Sequence, residues 1–193
     1  GSERAKTLIF NFMETIEKSI EVKAPISTVY NQWTQFEEFP HFMEGVQEVK
    51  QLDDKRLHWK AELGGKTKEW DSEIVEQVPD QRISWRSTSG AVNSGLVSFE
   101  IVDAATTRIA LKLSYQPETF GEKVADAMGA ISLKVGGDLK RFKEFIAAHG
   151  VETGGWRGEI SPRQGEPTTS EHRLKTAAEI SAEPRSKRVR KTV

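Results

Sequence analysis

Cysteine is absent from the 193 residues, and so are long apolar runs. Without cysteine the chain forms no disulfide and offers no thiolate nucleophile and no cysteine-based zinc or iron–sulfur site. No stretch approaches the roughly 18 consecutive apolar residues of a membrane span. The 28 Lys and Arg against 29 Asp and Glu give a formal net charge of −1, which argues against a wholly basic nucleic-acid binder. We therefore expect a soluble protein of the cytoplasm.

Large apolar residues also become scarce after Gly150, where nine basic and six acidic side chains share the last 44 positions with many Gly, Pro, Ser and Thr residues. Such a stretch buries too little apolar surface to offset the entropy lost on ordering. We predict a folded domain over residues 14–157 and a disordered basic tail over 158–193. Residues 1–13 form an N-terminal extension, and its first two residues resemble a cleavage scar.

The tail ends in a basic cluster of five cations in seven residues: Arg185, Lys187, Arg188, Arg190 and Lys191. A flexible solubilising end is one interpretation, and weak contact with phosphates or an anionic membrane is the other. Because no aromatic residue is interleaved, we expect no sequence-specific recognition of nucleic acid.

Apolar and polar residues alternate with a period of two in seven segments, which predicts seven strands. Short turns join six of them in succession, so the strands are expected to pair antiparallel. The apolar residues Val46, Val49 and Leu52 change parity, which indicates a bulge or an edge position for that strand. The segments lie within 15–23, 46–52, 57–63, 70–78, 83–87, 95–101 and 109–115.

Helical spacing replaces this alternation in two places. After Pro25, which suits a helix start, Val29, Tyr30 and Trp33 predict one short helix, and Phe36, Phe39 and Phe42 predict another, broken at Pro40. Near the end of the domain, one apolar stripe continues over six turns and stops at Gly150. It consists of Val124, Met128, Ile131, Val135, Leu139, Phe142 and Ile146.

This order of elements predicts an α+β protein: a seven-stranded curved antiparallel sheet around a long C-terminal helix, with two short helices after the first strand. The long helix also contains Gly129, Gly136 and Gly137, each of which costs about 1 kcal/mol relative to alanine. Either they permit close contact or a kink, or they leave room for a ligand between helix and sheet.

Several segments of the chain form a recognisable set together with this order of elements: Val29–Trp33 with Phe36–Met43, Trp70–Pro79, Ile83–Trp85, Gly137–Lys143 and Glu152–Ile160. The set resembles the SRPBCC or START-like superfamily, and most closely its bacterial polyketide cyclase/dehydrase and coenzyme Q-binding START types. The resemblance covers about residues 14–157 and implies a helix-grip fold with a hydrophobic cavity under the long helix.

Residues on the inward phase of the strands and helix are the candidate ligand-binding residues. Ligand pockets are mostly apolar with a few placed polar groups, whereas a filled core lined by the same residues is the alternative. The set is Trp59, Trp70, Ser72, Trp85, Ser87, Asn93, Val97, Phe99, Leu111, Leu113, Tyr115, Met128, Ile131 and Val135.

Candidate catalytic groups are few. His41 lies in the turn that borders the cavity entrance in the family, and Glu76 and Tyr115 share the inward phase of their strands. The alternatives are a solvent-facing His41 and a Glu76 that pairs with Arg82 or Arg86. No metal-ligand spacing, phosphate loop or dinucleotide motif is present, so we expect neither metal nor cofactor.

Three functions fit these patterns. The first is a carrier or sequestering protein for a hydrophobic small molecule such as a lipid, a quinone or a polyketide-like compound. The second is a polyketide cyclase/dehydratase that uses the same cavity, and the third is a regulatory interaction protein with a vestigial cavity. The scarcity of interior acids and bases favours the first.

Overall fold

The computed structural model describes residues 13–63, 65–117 and 124–166, and of residues 63 and 124–128 it describes the backbone alone. The predicted N-terminal extension up to residue 12 and the basic cluster near the C-terminus lie outside the described residues.

Seven strands form one antiparallel, curved sheet, as the alternation predicted, in the order β1-β7-β6-β5-β4-β3-β2. Each strand from β2 onward pairs with the next along the chain, and β1 crosses over to pair with β7. The strands are β1 (Glu14–Val22), β2 (Val46–Gln51), β3 (Arg56–Leu63), β4 (Lys66–Val78), β5 (Arg82–Gly90), β6 (Asn93–Asp103) and β7 (Thr106–Tyr115).

The strand β2 shows why its apolar residues change parity. It is the last strand at one edge of the sheet, and among the described strands it pairs with β3 alone. Its register shifts between Val46 and Glu48, so that the side chains before and after the shift fall on different phases. Both features that the pattern offered, a bulge and an edge position, are present.

The helices also follow the predicted order. Helix α1 (Ile26–Trp33) starts directly after Pro25, and a 3-10 helix (Phe36–His41) follows it. The long helix α2 (Val124–His149) ends at Gly150, whose φ of +70° is a conformation that glycine adopts at little cost. Val135, Leu139, Phe142 and Ile146 of the predicted stripe are buried against the inner face of the sheet.

The chain remains ordered beyond Arg157, where the composition predicted disorder to begin. Residues 151–166 pack against the body of the domain, and we call them the C-terminal strap. At its centre the backbone N–H groups of Gln77 and Ile160 each donate to the other residue's carbonyl over 2.9 Å. They can do so because β4 runs past the point where Arg56 pairs with Glu73, which leaves the end of its edge unpaired by β3.

Neutral hydrogen bonds join Thr153 to Gln32 and Trp156 to Thr34, and charged pairs hold the later part of the strap. Arg157 donates to both carboxylate oxygens of Asp80, over 3.0 and 2.7 Å, and Arg163 pairs with Glu73 over 2.6 Å. Glu166 accepts from Arg86 over 2.8 Å. The prediction of disorder is therefore wrong for residues 158–166, because one buried Ile160 and these ion pairs compensate for the low apolar content.

Candidate functional site

A cavity of about 170 Å³ lies between the inner face of the sheet and helix α2. Eight of the residues predicted from strand and helix phase line it: Trp59, Trp70, Ser72, Trp85, Asn93, Leu111, Leu113 and Val135. The pattern of the strands brings them together because side chains two residues apart point to the same face.

Tryptophans form much of the cavity wall. The rings of Trp59 and Trp70 lie parallel, with centroids 5.8 Å apart and an angle of 5° between their planes. The indole N–H of Trp59 donates to Ser72 Oγ over 2.9 Å. This hydrogen bond fixes the orientation of the indole and gives the polar group of each residue a partner within the protein. This part of the wall is flat and apolar.

Trp85 owes its position to Gly95, its partner on the neighbouring strand β6. A Cβ atom at residue 95 would overlap the six-membered ring of the Trp85 indole. The missing side chain therefore lets the indole lie across the strand. Sequence reasoning identified Gly95 as a strand residue and missed this role.

Asn93, the amide in the wall, is held by its own neighbours. Its side-chain Nδ2 donates to the Ala91 carbonyl over 3.0 Å, and its backbone N–H donates to Ser87 Oγ over 3.0 Å. Ser87 thus acts on the turn that precedes β6 and does not line the cavity.

Several predicted ligand-binding residues face inward but lie elsewhere in the interior. Val97 and Phe99 belong to the packed core, where the Phe99 ring meets the edges of Tyr30 and Trp33 at 5.4 and 6.1 Å. Tyr115 and Ile131 join a smaller apolar cluster. The backbone of Met128 is part of α2, but its side chain is outside the described residues.

The three catalytic candidates all lie outside the cavity wall. The His41 side chain is 62% exposed and pairs with Glu38 over 2.7 Å, which matches the solvent-facing alternative. Glu76 is 3% exposed and accepts from Arg82 over 2.7 Å, one of the two arginine partners considered for it. Tyr115 is buried in the smaller cluster.

The glycines of α2 do not line the cavity. A Cβ atom at Gly129 would meet nothing within 4 Å, and one at Gly136 would lie 4.0 Å from Lys18 Cε on β1. A Cβ atom at Gly137 would lie 3.1 Å from the guanidinium of Arg141 on the same helix. Of the two interpretations of these glycines, a close contact fits Gly137 alone, and room for a ligand fits none of them.

Sequence reasoning missed Asp138, the ionisable side chain among the described residues of the cavity wall. Its Oδ1 accepts from the backbone N–H of Glu44 over 2.9 Å and from Arg141 Nη2 over 2.5 Å. Burial raises the pKa of the Asp138 carboxyl above its usual value, against the opposing effect of these hydrogen bonds. The sequence does contain a signal for this position: Asp138 follows Val135 by three residues, so it lies beside the apolar stripe on the same face of the helix.

Other residues of the wall lie within the predicted helices and strands or, in the case of Met43, just after the second short helix, and were missed as cavity residues. They are Trp33, Phe36, Phe39, Met43, Leu57, Ile74, Ile83 and Leu139. Across the described ranges, no three His, Asp or Glu side chains lie close enough together to hold a metal ion. Nor does any helix in the described part have the length and apolar character to span a membrane.

Known proteins share this architecture. A protein of Streptomyces lincolnensis, described as an uncharacterized 17.2 kDa protein in the melC2-rnhH intergenic region, is 46% identical over 149 residues, which are 77% of this chain and 99% of that protein. The crystal structure of DR_A0006 from Deinococcus radiodurans is 28% identical, covers 72% of this chain and 100% of its own, and gives a TM-score of 0.56.

The Zhui aromatase/cyclase from Streptomyces sp. R1128 has the same fold at 15% identity, with 75% of this chain and 100% of that chain covered and a TM-score of 0.61. Residues 22–146 match the family described as polyketide cyclase / dehydrase and lipid transport. These matches confirm the START-like resemblance, and the chain belongs to the polyketide cyclase / dehydrase and lipid transport family of the SRPBCC superfamily.

Proposed function

We propose that the protein binds a hydrophobic small molecule in the cavity between the sheet and α2, as a carrier or sequestering protein. The observation that carries the proposal is the space itself: about 170 Å³ with walls made almost entirely of apolar side chains. An apolar cavity of about 150 Å³ stays free of water and takes up molecules such as benzene. Transfer of an apolar molecule from water into such a space is favourable by about 25 cal/mol per Å² of surface removed.

The placement of acids and bases favours a binding role over catalysis. A general acid or base must lie within hydrogen-bond reach of the reacting group, about 2.6–3.2 Å. His41, Glu76 and Tyr115 do not line the cavity, and two of them already have charged partners at 2.7 Å. A molecule held in the cavity would meet tryptophan and aliphatic surfaces instead.

The second candidate function is a cyclase or dehydratase, and Asp138 is the observation that favours it. A carboxyl group in an apolar wall with a raised pKa can exchange a proton with a bound substrate. The family description includes this activity. Turnover of a poly-β-keto substrate that disappears in Asp138→Asn, with the fold intact, would support it; unchanged turnover in that variant would oppose it.

The binding proposal is tested by titration with p-xylene, followed by the NMR signals of the tryptophan indole N–H groups. We expect saturable shifts of Trp59 and Trp85. In Val135→Phe the added ring occupies the space, and we expect affinity to fall at least about tenfold. Val151→Phe is the control, because Val151 is 70% exposed and lies in the strap. No saturable binding, or equal binding by Val135→Phe, contradicts the proposal and leaves the regulatory alternative.

A further inference from the structure

The size of the cavity limits its ligand. At about 170 Å³ it is smaller than the roughly 300–1,000 Å³ of pockets that enclose drug-sized molecules. It is close to the roughly 150 Å³ that accommodates benzene. A single substituted ring fits this space, and a folded multi-ring polyketide or a lipid tail exceeds it.

The shape of the wall favours a flat ligand. Trp59 and Trp70 present parallel rings, and Trp85 lies flat across Gly95. Aromatic rings gain stabilisation from offset stacking and edge contacts beyond the area that they bury, about 0.5–1.5 kcal/mol for each pair. A planar ring can make such contacts with these indoles.

The polar groups of the wall differ in their capacity for further hydrogen bonds. Ser72 Oγ accepts from Trp59, and Asn93 Nδ2 donates to Ala91, so both have partners within the protein. Asp138 is the charged acceptor among them: Glu44 and Arg141 both donate to Oδ1, while no described residue donates to Oδ2. The Asp138 side chain is only 16% exposed.

A carboxylate accepts hydrogen bonds through both oxygens, and Oδ2 of Asp138 is not among the buried atoms that lack a partner, so it is open to a donor from water or from a ligand. A ligand hydroxyl can donate to Oδ2 without placing a like charge beside it. A ligand carboxylate would be repelled, and a purely apolar ligand would cover Oδ2 without donating to it.

From the size of the cavity, the flat indole faces of its wall and the accessible Oδ2 of Asp138, we infer that the cavity selects a one-ring aromatic ligand with a hydroxyl group. The hydroxyl donates to Oδ2 of Asp138. This inference rests on the proposed function and narrows its ligand class. Asp138 is then a specificity-determining residue, and Arg141 and the Glu44 N–H hold it in position through Oδ1. The raised pKa of Asp138, caused by burial, agrees with its place in an apolar wall.

Four probes test the inference by calorimetric or NMR titration of the full chain: p-cresol, p-xylene, 4-methylbenzoate and 4-phenylphenol. The first two have nearly the same size and differ in one hydroxyl. We expect p-cresol to bind about tenfold more tightly than p-xylene, since hydrogen bonds to charged groups are the stronger kind. We expect 4-methylbenzoate to bind at least tenfold more weakly than p-cresol because of charge, and 4-phenylphenol because of size.

The variant Asp138→Asn should remove most of the difference in affinity between p-cresol and p-xylene and reduce the discrimination against 4-methylbenzoate. Glu144→Gln is the control, an exposed acid on the same helix, and should behave as the wild type. Equal binding of p-cresol and p-xylene by the wild type, or a preference that persists in Asp138→Asn, overturns the role of Asp138. Tight binding of 4-phenylphenol overturns the size limit. Binding of none of the probes overturns the proposed function as well.

Discussion

The interior has two halves that differ in packing although the same sheet and the same helix α2 enclose both. In the solid half, Phe142 is fully buried, and its ring lies 5.0 Å from Trp33 and 5.1 Å from Phe42. In the hollow half, Val135 faces Trp59, Trp85 and Leu113 across the cavity.

The difference comes from the elements between β1 and β2. Aromatic side chains of α1 and the 3-10 helix fill the space beside the later turns of α2, and Tyr30, Trp33 and Phe39 are all buried there. These rings end at the cavity, where Trp33 and Phe39 form part of the wall that Val135 also lines. The comparison teaches that an inward-facing residue can belong to a packed core or to a cavity wall. Which of the two it joins depends on the side chains that α1 and the 3-10 helix place between the sheet and α2.

Truncation in the solid half should have the largest effect. Phe142→Ala removes a fully buried ring with two aromatic partners, and we expect a loss of about 3–5 kcal/mol in the free energy of unfolding. Leu113→Ala, beside existing empty space and only half-buried, should cost about 1–2 kcal/mol. Urea unfolding measures both values. Equal losses would show that the two halves do not differ in packing.

Gly95→Ala should have the next largest effect, because the new methyl group must displace the Trp85 indole. We expect a loss of about 1–3 kcal/mol in stability and a weaker affinity for p-xylene. Ser94→Ala, at the adjacent position of β6, is the matched control. Trp85 in an unchanged position, seen as an unaltered indole N–H shift in Gly95→Ala, would refute this account of the glycine.

Loosening the C-terminal strap should affect stability without affecting the cavity. Arg157→Ala removes the paired bonds to Asp80, a bond to Asn31 and the guanidinium that lies 5.5 Å from the Tyr30 ring centroid. For these partly exposed groups we expect a loss of about 1 kcal/mol in the free energy of unfolding. Affinity for p-xylene should not change, and a clear change in it would link the strap to the hollow half.

The smallest effect should come from the outer face of the sheet. The His58 side chain, bonded to Asp71 over 2.6 Å, lowers the pKa of that carboxyl. A lowered folded-state pKa stabilises the protein above the usual carboxyl pKa, and this stabilisation is lost as the pH falls through the folded value. His58→Gln should therefore slightly reduce stability at pH 5 and reduce it less at pH 2. Measured unfolding at both pH values checks this, and an equal effect at both would exclude the linkage.

Sequence reasoning predicted the strands and helices because periods of two and 3.6 record which side chains face inward. The same reasoning predicted Trp59, Trp85 and Leu113 as inward residues, yet it grouped Phe99 with them, because periodicity contains no information about the aromatic rings of α1. Asp138 was missed because the inward stripe of α2 was defined by its apolar residues alone. The strap was missed because composition does not reveal an unpaired strand edge.

The central claim is that one half of the interior is empty and apolar. Crystals pressurised with xenon test it most directly, because xenon binds in dry apolar cavities. We predict a xenon atom between Trp59, Trp85 and Leu113 and none beside Phe142. Absence of xenon from the first position, with the Trp85 indole turned into that space, would contradict the account.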